Sequence, residues 1–241
     1  MARVRRTGAG SGEAGDRWEG SDRIVQVRPH VWRWLSERVD GRAVLELGPG
    51  LRPTIPAGRG TFVEVSPHVR EVLSREGGRT LPPEELGGLP DDGYSAVLAF
   101  EVLEHIEDDE GVLQAVARIL RPGGAVVIST PIRQALWSPL DEACGHVRRY
   151  EPEDLFELLR RHGLRVEGFV ATGGVLRHID GLRARFMRRN PRAVTAWVQR
   201  LVFLTHAWFQ RLFGSLRWRS AQDPVPQGAD GILVWARKLE G

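Results

Sequence analysis

The stretch from Val44 to Gly50, read VLELGPG, constrains this chain most: a short apolar run carrying one acid, Glu46, breaks at two glycines spaced one residue apart. Strand-forming residues bounded by Gly48 and Gly50 predict a buried parallel strand that delivers a tight turn. In open α/β sheets such a turn lies where ligands bind, outside the carboxyl ends of the strands.

The rest of the chain can be placed around that turn. Val31, Trp32, Leu35 and Val39 fall at near-helical spacing, so a helix precedes the strand and either packs on it or covers the rim of the site. After Gly50, Pro53 and Pro56 keep the next helix very short or irregular, because proline lacks an amide proton and crowds the preceding turn. TFVEVSP (Thr61 to Pro67) reads as a second strand ending in Glu64, followed by a helix to about Glu76. Residues 77–93 are rich in glycine, proline and acids, with a poor strand at Arg79 to Leu81. YSAVLAF (Tyr94 to Phe100) is a buried strand, and the segment after it opens acidic and becomes an amphipathic helix through Val112, Leu113, Val116, Ile119 and Leu120, closed by RPGG. AVVIST (Ala125 to Thr130) is a strand. A loop from Pro131 to Glu151 then leads to a helix ending at Gly163, with Pro152 at its start and acids in its first turn. Leu164 to Thr172 and Gly231 to Lys238 complete the strands, and the alternation implies a mostly parallel sheet with helices on both faces.

The glycine pair does not fit a dinucleotide. That fingerprint needs a third glycine three residues after the second, where this chain has Pro53, and Glu46 disfavours a pyrophosphate by charge. The same acid suits a cationic ligand. Five motifs occur in order: VLELGPG, VEVSP, AFEVLEHI (Ala99 to Ile106), LRPGG with its following strand, and GHVRRYEPEDLFELLRRHG. Over residues 40–172 the sequence thereby resembles the class I S-adenosylmethionine-dependent methyltransferases, in particular their type 11 and type 12-like small-molecule group.

The resemblance implies a Rossmann-like, doubly wound sheet of seven strands, the last antiparallel, with a helical insert (173–228) before that last strand. It implies S-adenosyl-L-methionine as cofactor. Glu46 would face the cofactor's ammonium or organise the turn, while Gly48, Pro49 and Gly50 would bring bare backbone to its methionine and ribose portions. Glu64 would accept from both ribose hydroxyls, with Val65 beside it, and Phe100 and Glu101 would lie near the methionyl group. Glu85 stands nearest by spacing to the acid that meets the adenine amino group, since Ser95 occupies a position where an aspartate often opens the fourth strand.

Catalysis needs a nucleophile aligned with the methyl carbon and water kept out, and a base only where the nucleophile carries a proton. His105 in LEHI and His146 in the GHVRRY loop are the candidate bases, because imidazole titrates near neutrality. Arg148, Arg149 and Tyr150, on a loop expected to cross the mouth of the site, and Trp197 in the insert are candidate substrate contacts. No metal-ligand pattern is visible: there are no paired cysteines and no H-x-x-x-H helix, and the acids of EDDE (Glu107 to Glu110) read as a solvated helix start.

The insert carries Arg177, Arg183, Arg185, Arg188, Arg189 and Arg192, then an apolar helix from Ala193 to Phe213 interrupted by Arg200, His206 and Arg211, which argues against a membrane span. It reads as a lid, a homodimer contact or a peripheral anchor on an anionic membrane. A length of 241 residues suits a single domain over 17–241 behind a disordered basic lead-in at 1–16. The lead-in lacks the apolar core of a secretory signal, and the lone cysteine, Cys144, excludes an intramolecular disulfide, so a reducing cytoplasm is the default. A net charge of +3 with a single lysine, Lys238, gives little support to a nucleic-acid partner. The expected activity is methyl transfer to an O, N or C nucleophile of a small, apolar or lipid-linked substrate. A catalytically idle scaffold of the same fold is the alternative, with an RNA methyltransferase behind it.

Overall fold

Turn residues separate the elements much as the patterning requires. The computed structural model describes residues 24, 29–39, 43–172 and 218–240. The strands are β1 (Val44–Leu47), β2 (Thr61–Val63), β3 (Arg79–Leu81), β4 (Tyr94–Phe100), β5 (Leu120–Pro131), β6 (Leu164–Thr172), β7 (Arg219–Ser220) and β8 (Gly231–Lys238). The α-helices are α1 (Pro29–Ser36), α2 (Pro67–Arg75), α3 (Asp109–Ile119), α4 (Pro139–Cys144) and α5 (Pro152–Arg161).

One sheet runs in the order β3-β2-β1-β4-β5-β8-β6-β7. The first five strands are parallel neighbours, and β8 lies antiparallel between β5 and β6. The sheet therefore has eight strands, not seven. The extra one, β7, pairs two residues antiparallel to β6 inside the segment expected to be a helical insert. The other expectations for the insert, Trp197 included, and for residues 1–16 lie outside the described residues. Among the described residues no helix is long and apolar enough to cross a membrane.

Alternation along β1 divides the core. Leu45 and Leu47 pack with Leu113, Val116 and Ile119 of α3 and with Leu155, Leu158 and Leu159 of α5. Val44 faces the other way, towards Val31 and Leu35 of α1 and Val69, Val72 and Leu73 of α2. Each large aliphatic side chain buried in this way contributes about 1.5–3 kcal/mol. The helix preceding β1 is thus a packing element, and Trp34 ties it to the far end of the chain by stacking on Trp218 and meeting Trp235 edge-on.

The sheet order reverses between β1 and β4, which makes the carboxyl ends of those two strands the expected ligand crevice. Prolines 53 and 56 have the foreseen effect: the first helical segment after β1 is a single tight turn, Ala57–Arg59. The 131–151 loop holds more order than expected. It contains α4, whose start is fixed by a capping box in which Ser138 and Asp141 exchange side-chain and backbone hydrogen bonds.

Candidate active site

At the end of β1 the backbone turns through Gly48 (φ 56°) and Gly50 (φ 55°), a conformation that favours glycine. A Cβ at Gly48 would come within 2.9 Å of the Val102 side chain, so the turn also needs glycine to pack against the chain leaving β4. Gly48 N–H donates to Val63 O at 2.8 Å and locks the turn to the end of β2.

Two buried carboxylates shape this turn from either side. Glu46 accepts from Thr54 N–H at 3.0 and 2.8 Å and from Ile55 N–H at 3.1 Å. Of its two expected roles this is the organising one: it holds the proline-broken loop in place of the missing helix. Glu64 accepts from Gly50 N–H and Ser66 N–H, both at 2.9 Å, one on each oxygen. A carboxylate offers about four lone-pair sites, so both oxygens keep acceptor capacity for vicinal ribose hydroxyls. Val65 beside it is 57% exposed, an apolar face just past the carboxyl end of β2 suited to a base. Pro49 is buried in the turn. These groups fit an adenosyl cofactor: acceptors for a diol, an apolar face for the base, and glycine backbone where the ligand must approach closely. Glu85 is exposed on the short 3-10 helix Pro83–Gly88 that follows β3.

Across the crevice, β4 ends at the buried Phe100. Glu101 then adopts a left-handed φ of 56°, sparsely populated for a residue with a side chain, held by its N–H to Ser129 O at 2.9 Å and by Ser129 Oγ donating to its carboxylate at 2.6 Å. Such conformations cost on the order of 1–3 kcal/mol and cluster at functional sites. The turn Leu103–His105 follows, with Glu104 fully buried. Thr130 Oγ1 donates to Glu104 Oε2 at 3.2 Å, whereas Oε1 has no hydrogen-bond partner among the described residues. Burial first, then the charge of Glu101, pushes the Glu104 carboxyl up to about 9.

The loop carrying His146 folds back onto this turn. Val147 N–H donates to Glu104 O at 2.7 Å, and His105 Nδ1 lies 3.2 Å from Gly145 O. The two candidate histidines thereby meet edge to face, their ring centroids 4.8 Å apart. His146 Nδ1 sits 2.8 Å from Asp141 Oδ1, and Arg149 clasps the same carboxylate through Nε and Nη2 at 2.8 and 2.9 Å. Burial alone would raise the Asp141 carboxyl, but the hydrogen bonds from Arg149 and His146 outweigh it and hold the group at about 2. Asp141 is therefore an anion that can only accept, so His146 donates to it from Nδ1, which in a neutral ring leaves Nε2 as the acceptor nitrogen.

The three expected substrate contacts of this loop have partners inside the protein. Arg149 is taken up by Asp141 and Ile132 O. Arg148 pairs with Asp109 and donates to Glu107 O, and Tyr150 OH donates to Asp109 Oδ2 at 2.7 Å. Burial and the bond to Asp109 raise the Tyr150 hydroxyl well above its ordinary value. The EDDE segment is accordingly not a wholly solvated helix start: Asp109 is buried and anchors the loop. Glu104 and Asp141 were missed in the sequence. Ser138 followed three residues on by an acid was a readable capping signal for Asp141, whereas nothing marked Glu104 as buried. A cavity of about 480 Å³ opens at the opposite edge, lined by Ala43, Gly60, Thr61, Arg79 and Tyr94 at the amino ends of the strands, away from these groups.

A family model described as a methyltransferase domain matches residues 22–168. The chain is 32% identical over 187 residues to a "probable S-adenosylmethionine-dependent methyltransferase" of Mycolicibacterium smegmatis, covering 71% of this chain and 69% of that one. It is 31% identical over 123 residues to the ubiquinone biosynthesis O-methyltransferase of Aeromonas salmonicida, a match over 44% of this chain that spans 52% of that protein's length. The solved cyclase SpnF shares the fold at a TM-score of 0.58 and 16% identity, over 93% of this chain and 87% of that one. A domain match over most of the described sheet, with a relative at that identity and coverage, places the chain in the class I S-adenosylmethionine-dependent methyltransferases, and its cofactor is S-adenosyl-L-methionine.

Proposed function

We propose that the chain methylates a hydroxyl oxygen on a small apolar acceptor and that the acceptor's proton is removed at the cluster of Glu104, His105 and His146. The observation carrying this reading is the buried Asp141 anion 2.8 Å from His146 Nδ1, which orients the ring so that in its neutral form Nε2 is the acceptor nitrogen. S-adenosyl-L-methionine supplies a methyl group on a sulfonium, already a good leaving group. The protein's own tasks are to align the acceptor, exclude water and hold a proton. A hydroxyl is the acceptor that gains most from a base, and a positioned base contributes typically 100- to 10,000-fold.

On the cofactor side, Glu64 binds the ribose and the Gly48–Gly50 backbone makes room for the methionine portion. On the acceptor side, Arg149 neutralises Asp141 and fixes the His146 loop, while Tyr150 and Arg148 clamp that loop to α3 through Asp109. The O-methyltransferases among the relatives support oxygen as the acceptor atom, and the apolar sequence from Ala193 to Phe213 supports an apolar acceptor.

Transfer of labelled methyl groups to panels of phenols, catechols, amines and carbon acids tests this reading. Label is expected in methyl ethers, with kcat lowered at least about 100-fold in His146→Ala. Label in N-methyl or C-methyl products alone overturns oxygen as the acceptor. Cofactor binding without transfer to any panel favours the idle scaffold.

A further inference from the structure

The three groups at the acceptor edge are arranged as ligands. One donor atom each from Glu104, His105 and His146 lies within 4.8 Å of the others. Metal–ligand bonds of about 2.0–2.2 Å put neighbouring donors about 3–3.5 Å apart, so closing the cluster on an ion takes side-chain adjustments of about an ångström. We propose that Glu104, His105 and His146 bind a divalent first-row transition-metal ion, such as zinc or manganese, in front of the strained Glu101 turn.

Three observations point to an ion and not merely to two neighbouring bases. Glu104 Oε1 is a fully buried oxygen with no hydrogen-bond partner among the described residues, while Oε2 is held by Thr130. A buried oxygen left unpaired costs on the order of 1–3 kcal/mol, and a cation supplies the missing partner. Both histidines have Nδ1 turned to an oxygen that accepts: Gly145 O for His105 and the Asp141 anion for His146. That leaves Nε2 as the lone-pair nitrogen in each neutral ring. A ligating imidazole almost always donates its other N–H to a carbonyl or carboxylate, and both arrangements occur here on adjacent rings. Finally, the donors come from two separate segments, the turn after β4 and the loop after α4, joined by Val147 N–H to Glu104 O. Two imidazoles and one carboxylate form a donor set for transition ions, in contrast to the all-oxygen sets of magnesium and calcium.

Three protein ligands leave positions open to solvent or substrate. The role of the ion rests on the O-methyltransfer reading, but its binding does not. An acceptor hydroxyl entering an open position becomes more acidic: its O–H bond breaks, the electron pair stays on oxygen and the proton goes to solvent. With the ion in place, the proton would still leave at this cluster, but through the acidity of the ion-held hydroxyl, and the Nε2 lone pair of His146 that takes it in the ion-free protein would bind the ion instead.

Calorimetric titration of the full chain, stripped with chelator, with zinc and separately with manganese tests the site. Each ion is expected to bind at one per chain, with affinity at least about 10-fold weaker in Glu104→Gln, His105→Ala and His146→Ala and unchanged in Cys144→Ser. S-adenosyl-L-methionine binding and the melting curve, measured on the same variants, show whether each remains folded. The absence of saturable binding of either ion, or wild-type affinity in all three folded variants, overturns the proposal. Loss of zinc binding in Cys144→Ser alone assigns the ion to the thiol and also overturns it. Because the readout needs no acceptor, failure of the O-methylation reading leaves this result unaffected.

Discussion

The two sides of the crevice are built by different means. The cofactor side is main chain: two left-handed glycines, an amide on each oxygen of Glu64, and two amides held by Glu46. The acceptor side is side chain: a histidine pair, Asp141 with Arg149, and Asp109 with Tyr150 and Arg148, joining residues that in the last case are 41 positions apart. On the first side the buried carboxylates are met by backbone amides. On the second, one oxygen of Glu104 has no hydrogen-bond partner among the described residues. The contrast separates two tasks: main chain that fixes Glu64 and the glycine turn in place, and side chains that bring Glu104, His105 and His146 together from two segments.

The contrast breaks most visibly if Glu46 is dispensable. Glu46→Ala leaves the Thr54 and Ile55 amides without their buried acceptor, and urea unfolding is expected to show a loss of about 3 kcal/mol. A change too small to measure would mean that the loop does not depend on this carboxylate.

Asp141→Asn tests the acceptor side and has a definite sign. The folded carboxyl, at about 2, lies below the ordinary 3.8, so it stabilises the protein above the higher value and that contribution disappears as pH falls towards the lower one. The variant is expected to be about 2 kcal/mol less stable than wild type at pH 7, the gap closing as pH falls from about 4 to about 2. A gap independent of pH would remove the charge from the explanation.

The effect of opposite sign belongs to Glu104. Its folded value, about 9, lies above the ordinary 4.5, so in chelator-treated protein the native state loses stability as pH rises from the lower value towards the higher. Glu104→Gln removes that dependence. Melting temperatures of the two proteins are expected to agree more closely at pH 5 than at pH 8, where the variant melts higher. Parallel profiles would show that the carboxyl is ionised or paired in the folded state.

The same contrast explains what the sequence could show. VLELGPG and VEVSP were legible because their places in the fold follow from local backbone geometry: Gly48, Gly50 and Glu64 stand where strand ends place them. Glu46 was legible as important, but choosing its partner required knowing where the loop after Pro53 returns. His105 and His146 were legible as chemistry-bearing residues. Their contact was not, because Gly145 and α4 bring it about through a capping box read only as loop. Asp109 was misread as solvated for the same reason: its partners, Arg148 and Tyr150, belong to a different element. The strand β7 escaped because two residues carry no periodicity.

The central claim is that Glu64 and the glycine turn hold S-adenosyl-L-methionine, and calorimetry on wild type and Glu64→Ala tests it most directly. One cofactor per wild-type chain is expected, with affinity lowered about 10- to 100-fold in the variant, as the loss of charge-assisted bonds to the ribose requires. No binding by wild type, or equal affinity in a folded Glu64→Ala, would contradict the account.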